Sequence, residues 1–255
     1  MTIFTCGTDF AEMMTCIYDA WASKLGHANV RLMLEPVEQT ELFCDYIHVA
    51  PDEEKTGRVI RSIQQKISFE AYQWVYRAAM SCDKERLDTI YRFLIFGFAY
   101  GKDVLHMLSA QPVARMLELS RRVGNEAHFF REFARFDRAA GGVYVSHIEP
   151  KANVLTIVAA HFADRMPSEH WLLIDDGRRL AAAHPRDEAF YVTELAEEEL
   201  EKLRETERQE DIYTHMWQEF FDTIGIEARR NPCCQRTLMP LWYRKHVTEF
   251  RQKQS

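Results

Sequence analysis

Glycine and proline are scarce in this 255-residue chain, at ten and eight residues. That leaves little material for long structureless linkers. No apolar run approaches the roughly 20 residues a membrane-spanning helix needs. The longest candidate, Phe93 to Tyr100, is far too short. The first ten residues are polar and carry Asp9, so no secretory signal is expected. The six cysteines (Cys6, Cys16, Cys44, Cys82, Cys233 and Cys234) are scattered without C-x-x-C spacing, and no triad exists for an iron–sulfur cluster. Cys233 and Cys234 are neighbours, where a disulfide would be strained. Reduced thiols and a cytoplasmic setting are the expectation. A Gly-rich phosphate loop, a G-x-S-x-G elbow, an H-E-x-x-H pair and zinc-finger spacing are also missing. With 39 acidic against 32 basic residues, the net charge of −7 excludes a protein that coats nucleic acid by bulk charge. It leaves room for a local basic face.

The composition is globular, 47% hydrophobic and 28% charged, with sixteen Phe available for a core. The pattern of elements predicts an α+β fold, helices packed on small, mostly antiparallel sheets. Thr2–Cys6 reads as a strand. A helix follows from about Phe10 to Leu25, capped by Thr8 and Asp9 and ended by Gly26. Arg31–Leu34 and Glu41–Val49 read as strands. Ser68 opens a helix with Phe69, Tyr72 and Tyr76 on one face, and another runs from about Lys84 to Tyr100, with Gly101 as its stop. From Pro112 a helical pattern extends to about Ala140, followed by the Gly141-Gly142 break. Val143–Ile148 is a strand, and Asn153 caps a helix carrying Val158, His161 and Phe162 inward. Trp171–Ile174 and Arg178–Ala183 flank Asp175-Asp176-Gly177 as a hairpin, with Phe190–Thr193 as a third strand. An N-terminal region over residues 1–105 and a second region over residues 106–255 are expected, with a weakly marked boundary that allows one continuous domain.

Charge is distributed unevenly near the C-terminus. Residues 194–222 hold eleven acids against three bases, and residues 226–255 hold seven bases against two acids. The acidic stretch reads as solvated helix with Ile212, Met216 and Phe220 inward. Two basic features invite a polyanion. On the long helix, His128, Arg131, Arg135 and Arg138 share one face beside an apolar stripe of Phe129, Phe133 and Phe136. In the tail, Arg229, Arg230, Arg236, Arg244 and Lys245 interleave with Trp242 and Tyr243, a mixture suited to single-stranded nucleic acid. Each has an internal alternative: Glu132 and Asp137 can neutralise the helix face, and the acidic stretch can neutralise the tail. Arg178 and Arg179 at the hairpin turn add two further cations. Asp175 and Asp176 are turn formers or a carboxylate pair for acid–base work. His161 is a core histidine or a functional one. His215 and Glu219 have two-ligand spacing, but no set of three or four ligands can be assembled, so no metal and no cofactor is expected. Cys233-Cys234 among arginines could carry activated thiols.

Several segments together carry a resemblance. They are Ile17-Tyr18-Asp19-Ala20-Trp21, the run His128 to Phe136, His161-Phe162-Ala163-Asp164-Arg165 and Trp171-Leu172-Leu173-Ile174-Asp175 with Arg178-Arg179. The last are Ala228-Arg229-Arg230-Asn231-Pro232 and Met239-Pro240-Leu241-Trp242-Tyr243. The chain resembles a bacterial family of unknown function described as probable DNA metabolism proteins, most firmly over about residues 110–250. The resemblance implies a gene neighbourhood shared with a radical SAM protein that modifies or repairs DNA. It also implies that some relatives carry a uracil-DNA glycosylase-like domain, which is not expected in a sequence ending at Ser255. The implied role is a DNA repair accessory protein that binds DNA and partners the radical SAM protein, with oligomeric state left open. The alternatives are a hydrolase or glycosylase-like enzyme centred on His128, His161 and Asp175, and a pure protein-interaction scaffold.

Overall fold

The computed structural model describes residues 1–139, 142–201, 216, 220, 223, 232–247 and 250, the side chain of Cys234 excepted. The chain divides into two compact units, Met1–Asn125 and Glu126–Ser255. Each is built around its own small sheet.

In the first unit β1 (Thr2–Cys6) is the central strand. The chain crosses back through α1 (Phe10–Ala22) to β2 (Val30–Leu34), parallel to β1. It then places β3 (Asp45–His48), also parallel, on the other side of β1. The α1 start is fixed by Glu12, whose carboxylate accepts the Asp9 N–H at 3.2 Å. Gly7 makes this possible, because a Cβ there would lie 2.1 Å from Glu12 Oε2. Met13, Met14, Cys16, Ile17 and Ala20 bury the inner face of α1.

Four helices follow: α2 (Glu53–Lys66), α3 (Phe69–Ala79), α4 (Arg86–Tyr100) and α5 (Gln111–Phe133). The sequence pattern does not mark α2, whose opening Glu-Glu-Lys-Thr-Gly carries no apolar residue. Asp52 caps it by accepting the Lys55 N–H at 3.0 Å, and Val59 and Ile63 bury one stripe. Ser68 caps α3 as expected, at 3.0 Å from the Ala71 N–H. Its core face is Ala71, Trp74, Val75 and Ala78. Phe69, Tyr72 and Tyr76 form a partly exposed aromatic row instead. α4 buries Leu87, Ile90, Tyr91 and Leu94, and Gly101, at φ +60°, takes the left-handed turn that ends it.

The second unit begins within α5 and continues into β4 (Asp137–Arg138), β5 (Tyr144–Ile148), α6 (Leu155–Arg165), β6 (Trp171–Asp175), β7 (Leu180–His184) and β8 (Tyr191–Glu194). The strands lie in that order across one sheet. β5 and β6 are parallel with α6 as the crossover, and the other three ladders are antiparallel. The α+β class expected from the sequence is the one observed, but the sheets are not mostly antiparallel: the three-stranded sheet is wholly parallel and the five-stranded sheet is mixed, because helical crossovers such as α1 and α6 return the chain in the same direction. Val145, Ile174, Ala181 and Leu200 form the core, and Trp171 stacks face to face on His184 at 4.8 Å.

The long helix is shorter than its periodicity predicts. It stops at Phe133, and Asp137 and Arg138 pair with Val145 and Tyr144 as a sheet edge. Phe136, expected on the helix face, packs edge-on against Phe162 at 4.8 Å. Tertiary contacts thus override the helical spacing beyond Phe133. Met216 and Phe220, expected to face inward, are more than half exposed. Ile212 lies outside the described residues. Among the described residues no helix is long and apolar enough to cross a membrane.

Leu173 is fully buried in β6, and Val192 in β8 is 41% exposed. Leu173→Ala should cost about 2–5 kcal/mol through lost burial and the cavity left behind, and Val192→Ala much less. Urea denaturation of both variants measures the difference.

Candidate functional site

Because β5 and β6 run parallel, their carboxyl ends, Ile148 and Asp175, open on the same sheet edge. In open α/β sheets that edge is the usual ligand position. The hairpin turn and the C-terminal tail, separate in the sequence, meet there.

Asp175 is fully buried. Its Oδ1 accepts the Arg178 N–H at 3.1 Å, and its Oδ2 accepts Arg178 Nη1 at 2.8 Å. The same guanidinium donates to the carbonyls of Pro150, at 3.0 Å, and Lys151. Burial pushes the Asp175 carboxyl above the usual carboxylate range, and Arg178 opposes this. Asp176 points elsewhere. Its N–H donates to Ile148 O at 3.0 Å, and its Oδ1 meets His147 Nδ1 at 2.8 Å. Both side chains are less than a tenth exposed, at 7% and 8%.

The tail closes over this pair. Its 3-10 turn, Leu241–His246, packs against β5. The His246 ring stacks on His147 at 5.9 Å. His246 Nε2 lies 3.6 Å from Asp176 Oδ2 and 3.8 Å from Glu149 Oε2. Burial drives the imidazole down to about 4; Asp176 opposes that shift, as Glu149 does, while His147 and Lys245 reinforce it. Lys245 pairs with Glu149. Tyr243 is buried between Phe129 and Phe130, each 5.0 Å away, and burial pushes its phenol up. Trp242 lies on Tyr243 at 3.7 Å, with Lys151 Nζ 5.2 Å from the Trp242 ring centre.

The remaining sequence candidates do not share this place. Arg138 sits in β4 opposite Tyr144, the far end of β5 from Ile148 and about 13 Å along the strand. Arg135 Nη1 folds back onto the carbonyls of Glu132 and Ala134, at 3.1 and 3.3 Å. Arg131 Nη2 donates to Ile157 O at 2.9 Å. The three arginines therefore form no single helical stripe. Arg179 is exposed, 3.7 Å from Glu197. Arg244 donates to Met239 O at 3.1 Å and covers the Phe250 ring. Arg236 is exposed on the short helix Pro232–Leu238. Arg229, Arg230, His215 and Glu219 lie outside the described residues, and with them the arginine neighbours of the Cys233-Cys234 thiols and the two-ligand pair.

His128 is exposed and faces Glu132 at 3.1 Å. His161 lies beside Phe162, pushed down by burial and then by Arg131 and Arg165. No hydrogen bond or ion pair joins His128, His161 and Asp175 to one another among the described residues. Sequence reasoning missed His147, Glu149 and the separate role of Asp176. The available signal was a strand carrying His147 that ends just before a Glu-Pro pair. Among the described residues no three His, Cys, Asp or Glu are placed to hold a metal ion.

A family model described as Domain of unknown function (DUF4130) matches residues 84–249. The chain belongs to this DUF4130 family. The match takes in α4, α5 and the β5–α6–β6 unit with its closing tail. No curated protein matches the chain.

The depressed pKa of His246 has a definite sign. The neutral ring is what the fold accommodates, so the stability it contributes is whole above about pH 6.5 and is lost as pH falls toward about 4, by roughly 3 kcal/mol in full. Urea unfolding between about pH 7.5 and 4.5 should show wild type losing more stability than His246→Gln. Parallel curves would contradict the assignment; the opposite contribution of Asp175 is common to both proteins and cancels.

Proposed function

We propose that this DUF4130 protein is a DNA-handling accessory factor that works in the cytoplasm beside a radical SAM protein in DNA metabolism or repair. Nucleic acid meets it in the second unit, where the hairpin turn and the tail converge. The supporting observation is that convergence: Lys151 and Lys245, both exposed, come from separate segments, Lys151 lying over the ring of the exposed Trp242 and Lys245 meeting Glu149, two residues before Lys151. Cations and an indole brought together suit a strand whose phosphates and bases are bound together. Lys245 is held at rest by Glu149, a surface pair of the weak kind that a polyanion can displace. The resemblance to probable DNA metabolism proteins supplies the radical SAM partner and the repair context.

Fluorescence anisotropy with single- and double-stranded oligonucleotides over a salt series tests this reading. Wild type should bind with affinity that falls as salt rises, and Lys151→Ala/Lys245→Ala should reduce the log–log slope by about two. If the triple Ala variant at Arg131, Arg135 and Arg138 carries the loss instead, the surface lies elsewhere in the second unit, away from the turn and the tail. If wild type binds neither oligonucleotide, the reading fails.

A second reading, a hydrolase or glycosylase-like centre, is favoured by the buried His147–Asp176 pair. The Asp176 carboxylate can accept the Nδ1 proton of His147, the contact by which a carboxylate orients a histidine base. Incubation with a uracil-containing oligonucleotide should then yield product that His147→Gln abolishes; equal turnover by the variant removes this reading.

A further inference from the structure

A second feature lies in the first unit, away from the residues discussed above. A cavity of about 510 Å³ opens between α1, α2 and the last turn of α4. That size suits a small ligand. Its two sides differ in chemistry.

One side is aromatic. Tyr18 and Trp21 come from α1, and Phe98 comes from α4. Trp21 meets three rings edge-on: His27 at 4.6 Å, Phe98 at 5.2 Å and Tyr91 at 5.9 Å. The wall is therefore set by the fold before any ligand arrives. Ile17 and Val59, both buried, add an apolar floor.

The other side is a row of donors. Arg58, Ser62 and Lys66 follow at i, i+4 and i+8, so they share one face of α2. Eight residues of helix set the two cations about 12 Å apart along the axis. Arg58 Nη2 donates to Glu54 at 2.6 Å, an exposed pair of the weak kind. Its Nη1 reaches across to Tyr18 Oη at 3.3 Å, which turns the guanidinium toward the aromatic side. The Tyr18 hydroxyl accepts there and keeps its own proton to donate. Lys66 Nζ has no hydrogen bond or ion pair among the described residues.

The last turn of a helix favours a lysine in any case. That preference does not account for the charge of the lining, which holds two cations and no carboxylate. Asp19, next to Tyr18, is taken up by Lys55 at 2.7 Å. Every charged side chain that lines the cavity is thus positive, and every polar one can donate. An apolar wall facing donors fits a ligand whose apolar body ends in an anionic acceptor.

We infer that this cavity binds a small apolar carboxylate. Its body lies against Tyr18, Trp21 and Phe98. Its carboxylate is received by Arg58 and the Tyr18 hydroxyl, with Lys66 as the second positive charge. The inference does not rest on the contacts proposed for the second unit.

Titration calorimetry of the full chain tests it, with indole-3-acetate, octanoate, uncharged indole and inorganic phosphate as probes. Indole-3-acetate should bind about tenfold tighter than indole, because its head group gains charge-assisted hydrogen bonds. Phosphate, which has no apolar body, should bind more weakly than either acid. Tighter binding of indole-3-acetate than of octanoate identifies an aromatic acid, and the reverse order an acyl acid. Arg58→Gln/Lys66→Gln should erase the preference for indole-3-acetate over indole, with an unchanged thermal melt and unchanged affinity for indole. Arg61→Gln/Arg121→Gln, which removes two exposed cations outside the lining, should leave the preference intact. Ala22→Trp, which adds a ring at an exposed lining position, should block both acids. Equal binding of indole and indole-3-acetate to wild type, equal losses in the two double variants, acid binding unmoved by Ala22→Trp, or no binding of either acid would overturn the site.

Discussion

The second unit depends on one buried ion pair. A carboxylate with no exposed surface, Asp175, ends β6, and a charge so placed is tolerated only with a partner and hydrogen bonds. Arg178 supplies both. Its remaining donors reach the carbonyls of Pro150 and Lys151, so the chain leaving β5 is pinned to the chain leaving β6. That pinning sets the positions of Glu149 and Lys151, which in turn meet Lys245 and Trp242 of the tail. A single guanidinium therefore links three segments distant in sequence. Its charge is committed to the fold, which separates it from cations still open to a ligand.

The same distinction sorts the other basic residues. Arg92 and Arg131 spend guanidinium donors on backbone carbonyls inside their units. Such bonds replace water in part-buried places and are costly to break. Lys84, Lys245 and Arg31 rest against carboxylates at the surface, where Coulomb attraction is diluted by solvent and salt. A formal count of Lys and Arg cannot distinguish these classes. In a chain of net charge −7, the distinction decides whether there is any place for an anion.

Much of the fold was legible in the sequence. Alternating or continuous apolar runs located β1, β2, β5, β6 and β7, and single residues such as Ser68 and Gly101 marked helix ends by their local chemistry. What failed was non-local. α2 opens with five polar residues and buries a thin stripe, so its periodicity was weak. The helical spacing of Arg131, Arg135 and Arg138 continued past Phe133, where sheet pairing takes over. The candidate site was half legible: Asp175, Arg178, Trp242 and Lys245 were singled out, but for separate reasons. No local pattern records that the parallel β5–β6 pair brings the turn and the tail to one edge. His147 and Asp176 looked like a strand residue and a turn residue, and their partnership exists only in three dimensions.

The division of the chain at Asn125 and Glu126 falls inside α5, which runs from Gln111 to Phe133. No loop separates the halves at the cut. A fragment beginning at Glu126 would start mid-helix, with four amide hydrogens stripped of the carbonyls that now accept them. A fragment ending at Asn125 would leave as many carbonyls bare. Dissection or recombination of this protein is therefore better placed upstream, and the family-matched span that begins at residue 84 already includes the whole of that helix.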